Sequence, residues 1–199
     1  MIHTMRRGFA DIGALQVHYR HIGATDAPPL VMIHPSHGSS KQLAGLMTAL
    51  AALGHDVFAP DTLGDGDSMA LGVEQPEIPD LASHTLAALD TLGLDRFDLY
   101  GSHTGASIAK EIAIAIPDRV RRLVIDRMGL YSGDLQAEVL AQYAREISPD
   151  AEATHLMKVW HFCRDQYLFW AYYNRTADGR LPNGLPLGES RPRGCATPH

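Results

Sequence analysis

The sequence predicts an α/β protein: a mostly parallel, doubly wound sheet preceded by an N-terminal β-hairpin. Short apolar runs typical of strands buried on both faces alternate with amphipathic segments of helical period. Residues 8–22 come before them as two short runs that meet near Gly13, which indicates the hairpin. Strands that alternate with helices favour a parallel sheet with helices on both faces.

The predicted elements follow in the order hairpin, then β-α-β-α-β-α-β. Strands are predicted where apolar residues dominate, at 29–34, 56–60, 97–100 and 120–126. Ser39 and Gln42 form a capping box at the start of the first helix. Pro79 opens the second helix, and Pro117 ends the third.

Bulk properties narrow the class of function. The chain has 199 residues and a formal net charge of -6, so it is a poor candidate for binding nucleic acid or an anionic membrane. Its two cysteines, Cys163 and Cys195, lie in an aromatic stretch and a polar segment, which does not suggest a disulfide framework. No apolar segment of signal-peptide or membrane-helix type is apparent. We expect a cytoplasmic protein.

The pattern changes after Asp126. Helices without an intervening strand are predicted at 135–147 and 151–173, and the second is rich in aromatic residues. We therefore divide the chain into three parts, which are a core at 1–126, a helical cap segment at 127–187 and a tail at 188–199. The tail has little to bury, so we expect it to be disordered or the product of an aberrant reading frame.

The sharpest motif is Gly-Ser-His-Thr-Gly at 101–105, between a buried strand and an alanine-rich helix. This is the context of a nucleophile elbow, G-x-S-x-G, in which a strained turn projects the apex side chain from the carboxyl end of the sheet. The apex here is His103. Ser102 is an alternative nucleophile, but it lies one residue before the apex and should point away from a pocket.

Three further motifs stand in order around the elbow. His34-Pro35-Ser36 follows the first parallel strand, a turn of the form D-x-x-G-x-G-x-S spans 61–68, and Pro-Asp-Arg-Val at 117–120 leads into the last strand. Together with the elbow, this layout resembles the α/β-hydrolase superfamily across about residues 8–126. The resemblance implies an α/β-hydrolase fold that is incomplete at its C-terminus and carries part of a helical cap.

The resemblance also implies an activity, namely cofactor-free hydrolysis of a small, fairly apolar ester, lactone or epoxide. His103 would occupy the nucleophile position. Asp126 would stand at one of the acid positions of the family, although many members have a purely structural aspartate there, which is the favoured interpretation. The N–H groups of Ser36 and Thr104 would form the oxyanion hole. Ordinary helix packing is the favoured explanation of the cap aromatics. Substrate contacts, where they form, are expected from one loop histidine and four of these aromatics: His34, Trp160, Phe162, Tyr167 and Trp170.

Two departures from the family pattern make activity doubtful. Imidazole can act as a nucleophile, but it cannot repeat a Ser-His-Asp arrangement, which passes a hydroxyl proton to a base. His155, His161 and His199 do not occupy the position of the base histidine. The alternatives are a non-catalytic or degenerate small-molecule-binding member, or a lyase or cofactor-independent oxygenase that uses a histidine as base. We expect no metal, since no carboxylate or cysteine completes a set with His34, His37 and His103 by spacing.

The resemblance implies further strands after the one predicted at 120–126, and we expect this chain to lack them. That strand would then form a sheet edge, with apolar residues at 123–125 beside unpaired backbone groups. Such edges recruit other chains. We expect a small-molecule substrate as the main partner, and self-association of a marginally stable chain through this edge.

Overall fold

The computed structural model describes residues 4–23, 26–73, 76–129, 132–134, 136–137 and 148–169. The strands are β1 (Arg6–Ile12), β2 (Leu15–Ile22), β3 (Pro29–Ile33), β4 (Asp56–Pro60), β5 (Phe97–Ser102) and β6 (Val120–Asp126). The helices are α1 (Ser40–Ala52), α2 (Ile78–Thr91), α3 (Thr104–Ala115) and α4 (Thr154–Phe169). Among these residues, no helix is long and apolar enough to cross a membrane.

The strands form one mixed sheet in the order β1-β2-β4-β3-β5-β6. The hairpin strands β1 and β2 pair antiparallel, and β2 joins β4 antiparallel. The pairs β3·β4, β3·β5 and β5·β6 are parallel, so the carboxyl ends of four neighbouring strands meet at one edge. This confirms the predicted fold class, and it places the loops after these strands side by side.

Helices cover both faces of the sheet. Val31 and Ile33 of β3 point toward α2 and α3, where they join a core cluster that includes Leu89 and Ile108. Met32, between them in sequence, points to the other face and packs with residues of α1. Alternate side chains of a strand lie on opposite faces, so a continuous apolar run is what a doubly covered strand requires.

The start of α1 differs from the predicted capping box. Ser39 is the N-cap residue, but its side chain makes no capping hydrogen bond. The N–H of Ser40 instead donates to the Asp61 carboxylate at 2.6 Å, so an acid from the loop after β4 caps the helix. A charged acceptor at a helix N-terminus also interacts favourably with the helix dipole, which explains why it displaces the local serine.

Strand β6 is the last strand of the sheet, and its apolar residues are poorly covered. Leu123, Val124 and Ile125 are 38%, 52% and 37% exposed. Self-association through this edge stays a prediction.

The chain divides into two compact units, Met1–Leu130 and Tyr131–His199. The first holds the sheet with α1 to α3, and the second holds α4. The helix predicted at 151–173 is present as α4, whereas the one predicted at 135–147 and the tail at 188–199 fall almost wholly outside the described residues. The predicted boundaries of core, cap and tail stay predictions.

Candidate active site

The turn between β5 and α3 holds the backbone in an unfavourable conformation. His103 lies between the last residue of the strand and the first residue of the helix, with φ 52° and ψ -115°. Positive φ is rare for residues with a side chain, and it persists where surrounding structure enforces it, often at functional sites. The apex of the turn is therefore His103.

Two glycines make this turn sterically feasible. A Cβ on Gly101 would overlap the carbonyl of Gly105, and a Cβ on Gly105 would overlap the carbonyl oxygens of Ile33 and His34. The helix start thus lies directly against the end of β3. The spacing of the two glycines is a requirement of close approach between strand and helix.

His103 is partly buried, and its N–H donates to the carbonyl oxygen of Asp126 at 2.9 Å. Burial lowers the pKa of its imidazole, the positive charge of Arg127 lowers it further, and the negative charge of Asp126 partly opposes both. The net pKa of His103 is therefore below the ordinary value of 6.5. The imidazole is consequently neutral at pH 7, which is the form that can accept a proton.

The Asp126 side chain lies on the neighbouring strand and is tied to β5. Its Oδ2 accepts hydrogen bonds from the Tyr100 hydroxyl at 2.9 Å and the Ser102 hydroxyl at 3.2 Å. Burial and the hydrogen bond to Asp126 raise the pKa of Tyr100. Ser102 is only 8% exposed, and its hydroxyl is directed at Asp126. This carboxylate thus anchors the end of β5, which agrees with a structural role, and its role as an acid stays a prediction.

The two predicted oxyanion-hole donors come from adjacent loops. Ser36 lies in the turn after β3, and Thr104 is the first residue of α3. These loops are neighbours because β3 pairs with β5 and because Gly105 packs on the end of β3. Within the part of the chain that the structure describes, no protein acceptor takes up either N–H. The first N–H groups of a helix are suited to developing negative charge.

His34 does not offer the surface expected of a substrate contact. It is fully buried, and its Nε2 accepts the Thr62 N–H at 3.0 Å. A nitrogen that accepts from a backbone N–H carries no proton, so the proton is on Nδ1, which donates to the Pro35 carbonyl at 2.8 Å. Both ring nitrogens therefore join the loops after β3 and β4.

The loop after β4 is organised around Asp61. Its buried carboxylate accepts from Nδ1 of His18 at 2.8 Å and from the N–H of Asp67 at 3.0 Å, besides capping α1. Burial raises its pKa, but the hydrogen bonds from Ser40, Asp67 and His18 outweigh this, and the net pKa is below 3.8. Ser68 closes the turn by donating its hydroxyl to the Asp61 carbonyl at 2.8 Å.

Asp65 lies in the same loop, and sequence reasoning did not identify it as a candidate site residue. Burial raises the pKa of its carboxyl, while the nearby His34 and His37 lower it, and the net shift is upward. A carboxyl with a raised pKa next to two histidines at the carboxyl edge is a further titratable group beside the elbow loops.

The predicted cap aromatics belong to the second unit. Trp160, on α4, is 54% exposed, and the guanidinium of Arg164 lies 5.1 Å from the centre of its ring. Phe162 and Tyr167 lie on α4, but their side chains are not among those described, and Trp170 falls outside the described residues. Their role in binding stays a prediction.

The described residues contain one group that could hold a metal ion, and it is not the one considered from the sequence. The ligand atoms of His18, Asp61 and Asp67 lie within 4.8 Å of one another. The histidines after β3 and β5 form no such group among the residues searched.

Comparison with known proteins agrees with the geometry. A family model described as the alpha/beta hydrolase fold matches residues 28–161. A 2-hydroxy-6-oxo-2,4-heptadienoate hydrolase of Pseudomonas putida is 31% identical over 115 residues, which are 57% of this chain and 41% of that protein. A 2-hydroxymuconate semialdehyde hydrolase of Pseudomonas sp. strain CF600 is 36% identical over 99 residues, 49% of this chain and 35% of that protein.

Among solved structures, Cfl2 from Burkholderia cenocepacia has a similar fold. Its TM-score is 0.68 at 22% identity, and the match covers 83% of this chain and 58% of Cfl2. The matched part of the chain spans less than half of the two hydrolases named above.

Proposed function

The chain belongs to the α/β-hydrolase fold family, and from this we propose that it binds, without a cofactor, a small and fairly apolar ester, lactone or epoxide, with hydrolytic turnover impaired by His103. The observation that carries the proposal is the strained turn at the end of β5. It presents His103 beside the N–H of Thr104 and next to the loop that bears Ser36. The curated relatives are hydrolases by name, which supports the class of reaction.

The chemistry follows from the form of His103. A carbonyl oxygen bound at the N–H groups of Ser36 and Thr104 would leave the carbonyl carbon open to attack by water. The neutral imidazole would take a proton from that water as its oxygen bonds to carbon, and would return the proton to the leaving oxygen when the tetrahedral intermediate collapses. No step of this reaction needs a hydroxyl group at the apex of the turn.

Such a route is weaker than serine catalysis. General-base assistance contributes about 10²–10⁴-fold, and no covalent acyl-serine divides the reaction into easier steps. Asp126 is close enough for its charge to act on His103, which supports a role in orienting the imidazolium formed during the reaction. Impairment relative to serine-bearing members is therefore part of the proposal.

One observation favours a second candidate. The lowered pKa of His103 keeps a neutral base in the apex position, and lyase or cofactor-independent oxygenase chemistry on this fold needs only such a base. A further alternative is a non-catalytic binding protein, in which the ligand bound beside His103 does not react.

Labelling and ligand binding by the intact chain test the proposal. A fluorophosphonate probe should not label the chain, because the apex has no hydroxyl, and p-nitrophenyl acetate should be hydrolysed without an initial burst of p-nitrophenol, because no acyl-serine accumulates. Phenyl acetate should nevertheless shift the imidazole resonances of His103 in an NMR titration and leave those of the buried His34 unmoved. Stoichiometric labelling at Ser102, or binding that leaves His103 unchanged, would contradict the proposal.

A further inference from the structure

His18 lies on β2, which β4 and β3 separate from the elbow strand β5 in the sheet order, and outside the proposed active site. Among the described residues, only one of its two ring nitrogens has a hydrogen-bond partner. Nδ1 contacts Oδ2 of Asp61 at 2.8 Å, and both side chains are 2% exposed. Both carboxylate oxygens of Asp61 accept backbone N–H groups, from Ser40 and from Asp67, which places the proton of the contact with His18 on Nδ1.

The other ring nitrogen of His18 has no protein partner within the described part of the chain, although it is buried. It faces Oδ2 of Asp67 across 3.9 Å, a separation too long for a hydrogen bond. A lone pair on Nε2 and an anionic oxygen repel each other unless a cation lies between them. The arrangement of carboxylate, histidine and open nitrogen is the one that orients histidine ligands in metal sites.

We propose that Nε2 of His18 and the carboxylate of Asp67 bind a divalent transition-metal ion such as Zn²⁺, with Asp61 as the positioning residue. Zinc bonds to imidazole nitrogen and carboxylate oxygen are about 2.0–2.2 Å long, which in tetrahedral geometry places the two ligand atoms about 3.4 Å apart. The Asp67 side chain is 58% exposed, so it can move the short distance that this requires.

The surroundings of the pair allow an ion to enter. An open depression is lined by Arg7, Gly8, Phe9, His18 and Asp67. Water from this depression would complete the coordination. Arg7 lies 4.0 Å from Oδ2 of Asp67 and is 63% exposed, so its guanidinium can turn away when the ion binds.

The rival explanation is that His18 is an imidazolium that interacts with both carboxylates, in which case no ion is needed. The two explanations differ in what Zn²⁺ does to the ring. A bound ion replaces the lone pair of Nε2 and shifts its ¹⁵N resonance, whereas a protonated Nε2 does not respond to Zn²⁺.

The test is a titration of the full chain with Zn²⁺, followed by imidazole ¹⁵N NMR and by calorimetry. The His18 Nε2 resonance should shift, and Asp67→Asn should weaken Zn²⁺ binding about ten-fold or more, since it removes a charged ligand but keeps the backbone N–H that Asp61 accepts. Asp11→Asn, an exposed substitution of the same kind on β1, should change the affinity less than about two-fold. Zn²⁺ binding that leaves His18 Nε2 unmoved, or that Asp67→Asn does not weaken, would overturn the proposal.

Discussion

His34 and His103 follow neighbouring parallel strands of one sheet, and their surroundings are opposite. His34 is fully buried, and both its ring nitrogens bond to backbone groups of two loops. His103 is partly buried at an apex with φ 52°, held in place through its backbone N–H. One histidine joins loops, and the other is presented by strained backbone. The comparison teaches that enclosure of the ring, rather than its position at the carboxyl edge, separates a structural histidine from a candidate catalytic one.

The largest expected effect lies on the structural side of this comparison, at Asp61. Asp61→Ala removes a buried charge that caps α1 and holds His18, and it should lower the free energy of unfolding by about 3–5 kcal/mol. Urea unfolding measures this. The exposed Asp11→Ala should change stability by about 0.5 kcal/mol or less. Equal effects of the two substitutions would show that the loop after β4 does not depend on Asp61.

The next effect contrasts the two histidines directly. His34→Ala leaves the buried Thr62 N–H without its acceptor and opens a void, which should cost about 2–4 kcal/mol. His103→Ala removes a partly exposed ring whose backbone bond remains, and it should cost about 1 kcal/mol or less. Thermal and urea unfolding of the two variants measure the difference. A larger loss for His103→Ala would reverse the assignment of roles.

Relief of backbone strain should be smaller and of opposite sign. His103→Gly places the residue that tolerates positive φ at the apex, so it should raise the free energy of unfolding by about 1 kcal/mol. His103→Ala provides the reference, since it keeps the Cβ and hence the strain. If the glycine variant is no more stable than the alanine variant, the apex is not strained in solution.

The smallest expected effect is a dependence on pH. The folded-state pKa of His103 is below 6.5, so the unfolded chain binds a proton more readily. The stability due to the neutral ring is therefore present above about pH 6.5 and declines as the pH falls from there through the lowered pKa. His103→Ala should flatten this part of a stability–pH curve measured by urea unfolding.

Local patterns predicted the fold well because its signals are close in sequence. The apolar run of β3 and the two glycines of the elbow each act within a few residues, and the structure shows the burial and close approach that they require. The adjacency of the loops after β3 and β5 also followed, because parallel neighbouring strands end at the same edge, whereas the oxyanion hole at Ser36 and Thr104 stays a prediction.

Long-range polar contacts could not be predicted from the sequence. Asp61 bonds to His18 and Ser40, which are 43 and 21 residues away, and a sequence pattern does not identify such partners. The predicted capping box at Ser39 was therefore wrong, and the partners of His34 were not foreseen. The bond from Ser102 to Asp126 is of the same kind, since it depends on the register of β5 against β6.

The central claim is that position 103, rather than 102, presents its side chain at the apex of the turn after β5. It is tested most directly by the alkylation rates of single cysteines, with Cys163 and Cys195 replaced by serine. His103→Cys puts a thiol at the start of α3, where the helix N-terminus lowers its pKa, and it should react with iodoacetamide about ten-fold or more faster than Ser102→Cys, whose side chain is buried toward Asp126. Faster alkylation of Ser102→Cys would contradict the account.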